Sequence, residues 1–319
     1  ITLPEDLYLP RINSSGFDLN EKECIDDLMK EIDKFSKHVF DASSKSIHNF
    51  TNMNAKEVIS KCSNKILGSV AACDQKSIAQ NNLKSSIKWS HLEAETRCKI
   101  LTSVANSIEN QRAKFIYLLM HEAGKTLEDS VDEIREAVDF LRYYSQQLIA
   151  LDSSTQRGPT GEDNVLEYCP KGIVLCISPW NFPLAITIGQ IAAALVAGNT
   201  VISKPSEHTP IIAYEAINLF FEQGLPEDAL HLLLGDGSIG EAIISEQAID
   251  LVAFTGSLRT AKSIHHRLST KSGKIIPLIA ETGGLNTMIV DSSALLERAC
   301  DDIIRSAFNS AGQRCSALR

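Results

Sequence analysis

Apolar positions recur at two different spacings along the chain, and the change falls near residue 164. Before it the pattern is mostly helical. Residues 19–40 are charged and amphipathic, with Ile25, Leu28, Met29, Ile32 and Phe35 near helical intervals. Residues 55–72 read as a second helix, and 81–88 as a break. Ile100, Leu101, Val104, Ile108, Phe115 and Leu119 continue the helical interval through 91–119. Gly124 interrupts, and 126–151 resume as a long helix with Val131, Ile134, Val138, Leu141 and Tyr144 on one side. Residues 1–18 read as an extended arm, 41–54 as a polar loop, and the Ser/Thr/Gly/Pro-rich 152–164 as a connection.

After residue 164 short apolar runs alternate with helical patterns. The pattern predicts strands at 172–178, 200–203, 230–234, 251–254 and 275–280, and helices at 184–197, 211–223, 239–246 and 261–268. A further strand begins at 288–290, followed by a helix over 294–311. Repeated β-α units with nearly continuous apolar strands predict an α/β fold, with a parallel sheet covered by helices.

Composition narrows the function. With 44% hydrophobic residues the 319-residue chain fills a real core. A net charge of −9 disfavours nucleic acid as a partner, because phosphate binding needs a basic surface. The most apolar stretch, 184–197, includes Gln190 and falls short of the roughly 20 residues that span a bilayer, so no transmembrane segment is expected. The eight cysteines form no Cys-x-x-Cys pair and have no zinc-finger spacing. All but Cys315 read as buried, reduced thiols of a reducing compartment, the cytoplasm. The histidines form no metal constellation, and His265-His266 reads as an exposed pair. The first residue, Ile1, suggests a piece of something longer.

Parallel sheets bind ligands at the carboxyl ends of their strands, and the chemically interesting residues fall there. Pro179-Trp180-Asn181-Phe182-Pro183 is a rigid loop whose asparagine amide suits an oxyanion, or simply a turn. Lys204 and Glu207 suit ribose hydroxyls, although spacing alone favours a solvated pair. Gly235-Asp236-Gly237-Ser238-Ile239-Gly240 fits G-x-G-x-x-G on a later strand than the dinucleotide fingerprint uses, with no acid ending the next strand; a tight turn reads equally well. Thr255-Gly256-Ser257 opens a helix and suits a phosphate, or Ser257 is an N-cap. Glu281, in a turn before Gly283-Gly284, suits a general base raised by burial, and a strand-end surface carboxylate is the other reading. Cys315, 34 residues later, follows Arg314, whose charge favours thiolate; a core thiol is the alternative. A thiol that attacks and a carboxylate that readies water suit covalent aldehyde oxidation.

These blocks, with Lys204-Pro205-Ser206-Glu207, Phe254-Thr255-Gly256-Ser257, Glu281-Thr282-Gly283-Gly284 and Gly312-Gln313-Arg314-Cys315, resemble the aldehyde dehydrogenase superfamily. Four stretches extend the likeness over nearly the whole chain: Asp6-Leu7-Tyr8 with Arg11 to Gly16, Glu122 to Thr126, Glu136 to Tyr144, and Gln313 to Arg319. They are most similar to the branch of bifunctional proline-catabolism enzymes that oxidises L-glutamate γ-semialdehyde, derived from Δ1-pyrroline-5-carboxylate.

The resemblance implies a Rossmann-type, NAD-binding sheet. Residues 1–50 would be an arm and helix leading from an upstream domain, 51–283 the NAD-binding domain, and 284–319 the start of a second α/β catalytic domain. It implies Cys315 as nucleophile, Asn181 with the Cys315 N–H as oxyanion donors, and Glu281 as activator of the hydrolytic water. Lys204 and Glu207 would hold the adenosine ribose and Ser257 the pyrophosphate, with Gly256, Ser178 and Trp180 completing the cofactor contacts. Arg314 and Ser316 would hold the substrate carboxylate, and Glu122 the substrate amine. An upstream proline dehydrogenase domain with FAD and a homo-oligomer are implied for the whole protein. The family's Glu-x-Phe-Gly-Pro segment, the loop completing the carboxylate anchor and the oligomerisation hairpin have no counterpart here, so the expectation is a fragment that does not turn over. The alternatives are a different aldehyde on the same scaffold, or a non-catalytic nucleotide-binding module.

Overall fold

The arm is not free. In the computed structural model, which describes residues 2–46, 50–151, 154–156 and 158–319, it makes a 3₁₀ turn at Pro4–Asp6 and is then pinned to the helical layer. The Ser14 N–H donates to Asp139 at 2.6 Å and the Ser15 N–H to Glu109 at 2.8 Å. Helix α1 (Lys22–Asp33) is shorter than its pattern and buries Leu28 and Ile32. Strand β1 (Phe40–Ser43) occupies part of the expected 41–54 loop, of which 47–49 lie outside the described residues.

The expected helix over 55–72 is absent from the structure. The segment forms β2 (Lys56–Ile59) and β3 (Ile66–Ala71), an antiparallel hairpin with β1 parallel on the other side of β3. Val58, Ile59, Ile66 and Val70 are β-branched and favour strands, and Asn64 takes φ 52° in the reversal between them.

Helices α2 (Gln75–Gln80), α3 (Ile87–Ser90), α4 (Ala94–Asn110), α5 (Arg112–Ala123) and α6 (Leu127–Ala150) follow. Gly124 closes α5 at φ 74°, a left-handed geometry that glycine takes without steric cost. Thr126 opens α6 by accepting from the Asp129 N–H at 3.1 Å. The 152–164 connection holds a small antiparallel pair, β4 (Ser154–Gln156) with β5 (Asn164–Leu166); 152, 153 and 157 lie outside the described residues.

The β-α alternation then runs as expected: β6 (Ile173–Ile177), α7 (Ala185–Val196), β7 (Thr200–Lys204), α8 (Pro210–Glu222), β8 (Leu230–Leu232), α9 (Gly237–Glu246), β9 (Leu251–Gly256), α10 (Leu258–Thr270) and β10 (Leu278–Thr282). Among the described residues these strands form one parallel sheet in the order β10-β9-β6-β7-β8. The chain winds outward from β6 to β8, then crosses back to β9. The winding direction therefore reverses between β6 and β9, which opens a crevice at the carboxyl ends of those strands.

Strands β6, β7 and β8 are buried on both faces, which explains their continuous apolar runs. Val174 and Cys176 of β6 join the core under α4 to α8, while Ile173 and Leu175 join the core under α2, α9 and α10. Leu28, Ile32, Phe40 and Ala42 belong to the first of these cores, so α1 and β1 pack with the helical layer. After β10 the packing thins. Residues 288–290 form no strand, and Ile289 is 90% exposed. Helix α11 (Leu296–Phe308) is amphipathic, buries none of its residues, and ends in a 3₁₀ turn, Asn309–Gly312. Among the described residues no helix is long and apolar enough to cross a membrane.

Candidate active site

Two cavities flank the end of β9. The first, of about 540 Å³, lies in the β6/β9 crevice and is roofed by α9 and α10. Six residues expected to touch cofactor line it: Ser178 and Trp180 after β6, Lys204 ending β7 with Glu207 beyond it, and Gly256 ending β9 with Ser257 beyond it. Lys204 is only 5% exposed, so it is not half of a solvated pair. Its Nζ lies 3.5 Å from Glu207 Oε2, and burial lowers the pKa of the ammonium despite that carboxylate. A buried cation ending in a cavity suits a ligand oxygen.

Ser257 is the N-cap of α10, its Oγ accepting from the Thr260 N–H at 3.1 Å. It does this while lining the cavity, so cap and anion site coincide. The glycine motif after β8 is first of all a tight turn. Gly235 sits at φ 147°, where an added Cβ would meet Ile239 Cγ1 at 2.4 Å. Asp236 caps α9, and Gly237 and Gly240 then face the same cavity as Lys204.

The second cavity, of about 490 Å³, lies on the other sheet face beside α6 and α7 and holds Glu281 and Cys315 together. Phe254 and Thr255 line both cavities, so a ligand reaching around the end of β9 touches each. Cys315 is exposed, as is Glu281; the buried setting expected for that carboxylate is not found, because β10 is an edge strand with Ile279, Ala280 and Glu281 uncovered. Asn181 closes the arrangement: its Nδ2 donates to the Gln313 carbonyl at 2.9 Å. The carboxylate and the amide therefore come from the ends of β10 and β6, the thiol comes from the turn after α11, and the amide is tied to the loop that carries the thiol.

Two of the expected substrate contacts, Glu122 and Arg314, are engaged by backbone groups in this structure. Glu122 is 1% exposed, and its carboxylate oxygens accept from the Ile211 and Ile212 N–H groups, each at 2.8 Å. It is a buried anchor for the start of α8, and burial pushes its carboxyl up to about 8. Arg314 turns away from the cavity, its Nη2 donating to the Arg305 and Ser306 carbonyls at 2.9 and 2.8 Å, where the carbonyl end of α11 attracts a cation. Ser316 is exposed beside Cys315. Among the other thiols, Cys73, Cys98 and Cys176 are buried as expected, whereas Cys62, Cys169 and Cys300 are exposed.

Sequence reasoning missed supporting residues. Asn286 Nδ2 donates to the Cys315 carbonyl at 2.6 Å and the Ala317 carbonyl at 2.9 Å, fixing the cysteine loop. Gln190 Nε2 donates to Thr255 Oγ1 at 3.0 Å, bracing the end of β9. Gln190 carried a signal, as the one amide side chain in an apolar helix; Asn286 carried none beyond its nearness to Glu281.

A Rossmann-type sheet with a thiol and a carboxylate in one cavity, and an amide tied to the loop of that thiol, fits an aldehyde-oxidising class. The sequence model of the aldehyde dehydrogenase family matches residues 49–319, and the chain belongs to that family. It is 40% identical over 330 aligned positions to the bifunctional protein PutA of Klebsiella aerogenes, which covers 100% of this chain and 24% of that protein. It is 37% identical to the 1-pyrroline-5-carboxylate dehydrogenase of Anoxybacillus flavithermus over 72% of this chain and 45% of that protein. Among solved structures, Bradyrhizobium japonicum proline utilization A (the D778Y mutant) superimposes with a TM-score of 0.84 at 41% identity, covering 100% of this chain and 30% of its own. The chain thus spans about a quarter of the PutA relative's length.

Proposed function

We propose that the protein carrying this chain oxidises L-glutamate γ-semialdehyde to L-glutamate with NAD, as the dehydrogenase step of proline catabolism. The observation that carries this is the pairing of Cys315 and Glu281 in one cavity, joined around β9 to the cavity of Lys204, Glu207 and Ser257. The likeness to proteins named PutA and 1-pyrroline-5-carboxylate dehydrogenase supports the substrate.

The residues fit a dinucleotide. Lys204 and Glu207 would hold ribose hydroxyls, and the free N–H groups at the start of α10, with Ser257, would hold the pyrophosphate. When bound, NAD supplies a hydride acceptor. The Cys315 thiolate attacks the aldehyde carbon, forming a C–S bond while the carbonyl oxygen becomes an oxyanion. Asn181 and the Cys315 N–H stabilise that charge. Loss of hydride from the same carbon restores the C=O and leaves a thioester on Cys315. Glu281 takes a proton from water, whose oxygen attacks the thioester; the C–S bond breaks, and the acid and the thiolate are released.

The chain's eight cysteines are free thiols, which supports a reducing, cytoplasmic setting. The word bifunctional in the relatives' name supports a further activity in the whole protein, which we propose is an upstream proline dehydrogenase domain with FAD, and a homo-oligomer is proposed likewise. A second reading keeps the chemistry but changes the aldehyde. Arg314 favours it, because its guanidinium faces α11 and leaves the cavity beside Cys315 with mostly apolar walls, among them Phe140, Ile186 and Phe254.

The test is NADH formation by the full-length protein over a panel of aldehydes, with Cys315→Ala as control. Preference for the carboxylated semialdehyde, lost in the control while NAD binding persists, upholds the first reading. Equal rates with uncharged aldehydes uphold the second. An active Cys315→Ala protein sinks both.

A further inference from the structure

We propose that Glu133, held by Lys125, is a positioning residue that sets the place of Asn181; the inference rests on the reading of Asn181 as the oxyanion donor. Glu133 is 1% exposed, on the inner face of α6. Its Oε1 accepts from the Leu184 N–H at 2.8 Å and the Ala185 N–H at 3.2 Å. These are the opening N–H groups of α7, whose N-cap residue offers no side-chain cap of its own. The other oxygen, Oε2, meets Lys125 Nζ at 2.7 Å. That ammonium also lies 4.1 Å from the centre of the Phe182 ring. One ion pair thus grips the chain at Phe182 and at Leu184–Ala185, immediately after Asn181. Asn181 in turn reaches the loop of Cys315 through the Gln313 carbonyl.

Packing alone does not call for this arrangement. Burying two charges costs desolvation that their attraction rarely exceeds, and an apolar pair of equal volume commonly stabilises a fold as well. The lysine matters because a carboxylate accepting from two N–H groups leaves its second oxygen bare in an apolar interior. Glu122 gives the contrast within the same molecule. It holds the start of α8 with its two oxygens, after the loop bearing Lys204 and Glu207. Each buried carboxylate therefore anchors one helix that follows one functional loop: Glu122 on the cofactor side, Glu133 on the side of the reacting carbon.

The test has two arms. In this chain alone, amide hydrogen exchange is measured for Glu133→Gln and for Lys125→Met/Glu133→Gln, which removes both charges and keeps an acceptor for α7. Exchange should rise roughly tenfold or more in peptides covering 179–186, with peptides covering 205–212 unchanged. In the full-length protein, kcat should fall roughly 10- to 100-fold with the KM for NAD unchanged, because a displaced donor weakens only the transition state. The same change added to Asn181→Ala should cost nothing further, since both act through one amide. Unchanged exchange, or losses that multiply in the Asn181→Ala background, overturns the proposal. So does failure of both variants to fold, which would make the pair a folding element. If exchange rises but the unaltered full-length protein oxidises no aldehyde, the functional reading fails while the anchoring stands.

Discussion

The side-chain amide of Asn181 donates to the main-chain carbonyl of Gln313 across 2.9 Å, linking the loop after β6 to the turn that presents Cys315. An asparagine amide carries two N–H groups. Gln313 takes one, which orients the plane of the amide. The other remains, on the proposed mechanism, for an oxygen on the carbon that Cys315 would attack. A donor already fixed before substrate arrives costs no reorganisation during reaction, and such preorganisation is where oxyanion stabilisation gains its size.

Replacing Asn181 with Ala in the full-length protein should therefore lower kcat by roughly 10²–10³. The dissociation constant for NAD should stay unchanged, because Asn181 does not line the cofactor cavity. Steady-state kinetics with a fluorescence titration of NAD checks both. A loss confined to NAD affinity would place Asn181 in cofactor binding instead.

Thiol labelling tests the exposure of the proposed nucleophile in this chain alone. Cys315, Cys62, Cys169 and Cys300 are exposed, whereas Cys73, Cys98 and Cys176 are buried. Burial pushes the Cys176 thiol up to about 12, so it offers little thiolate at neutral pH. Brief iodoacetamide treatment followed by peptide mass spectrometry should modify the first four and spare the last three until the chain is denatured. Labelling of Cys176 as fast as Cys315 would contradict the packing under β6.

Much of this was legible in the sequence, for physical reasons that also mark where legibility ended. The β-α alternation was readable because strands buried on both faces must be continuously apolar, as Ile173 to Cys176 are. Asn181, Lys204, Ser257 and Glu281 stood out because parallel strands deliver their functional residues at their carboxyl ends, and Cys315 because Arg314 precedes it. The 55–72 segment misled because a hairpin with one partly exposed face spaces its apolar residues irregularly, and an 18-residue window averages two short strands into a helical count. The hydrogen-bond partners of Glu122 and Arg314 were not readable, since local sequence cannot tell whether a charge faces a cavity or the backbone of a packed helix. Glu133 left a faint trace: it lies four residues from buried Ala137 on the apolar side of α6, where an acid needs a partner.

Lys204 should contribute directly to cofactor affinity. Its ammonium is buried at the cavity wall with a half-exposed carboxylate as its neighbour. Lys204→Met removes the charge while preserving most of the buried stem, so the fold should persist. A charge-assisted hydrogen bond is worth about 1.5–3 kcal/mol, so the dissociation constant for NAD should rise roughly 10- to 100-fold. Calorimetry on the full-length protein measures this directly. An unchanged constant would mean that the dinucleotide lies elsewhere.

Glu122 makes stability depend on pH in a calculable direction. Its carboxyl ordinarily titrates near 4.5, and burial raises it to about 8 in the fold, against the pull of the Ile211 and Ile212 N–H groups and of Lys61. Between those values the folded chain keeps a proton that the unfolded chain has released. Stability from this group is therefore fully present below about pH 4.5 and is lost progressively as pH rises through about 8. Glu122→Gln cannot titrate and should lack this slope. Urea unfolding of both proteins across that window should show the stability of the original chain falling relative to the variant as pH rises, by no more than one proton's worth of slope. Parallel pH profiles would show instead that Glu122 stays ionised, with the N–H groups of α8 outweighing its burial.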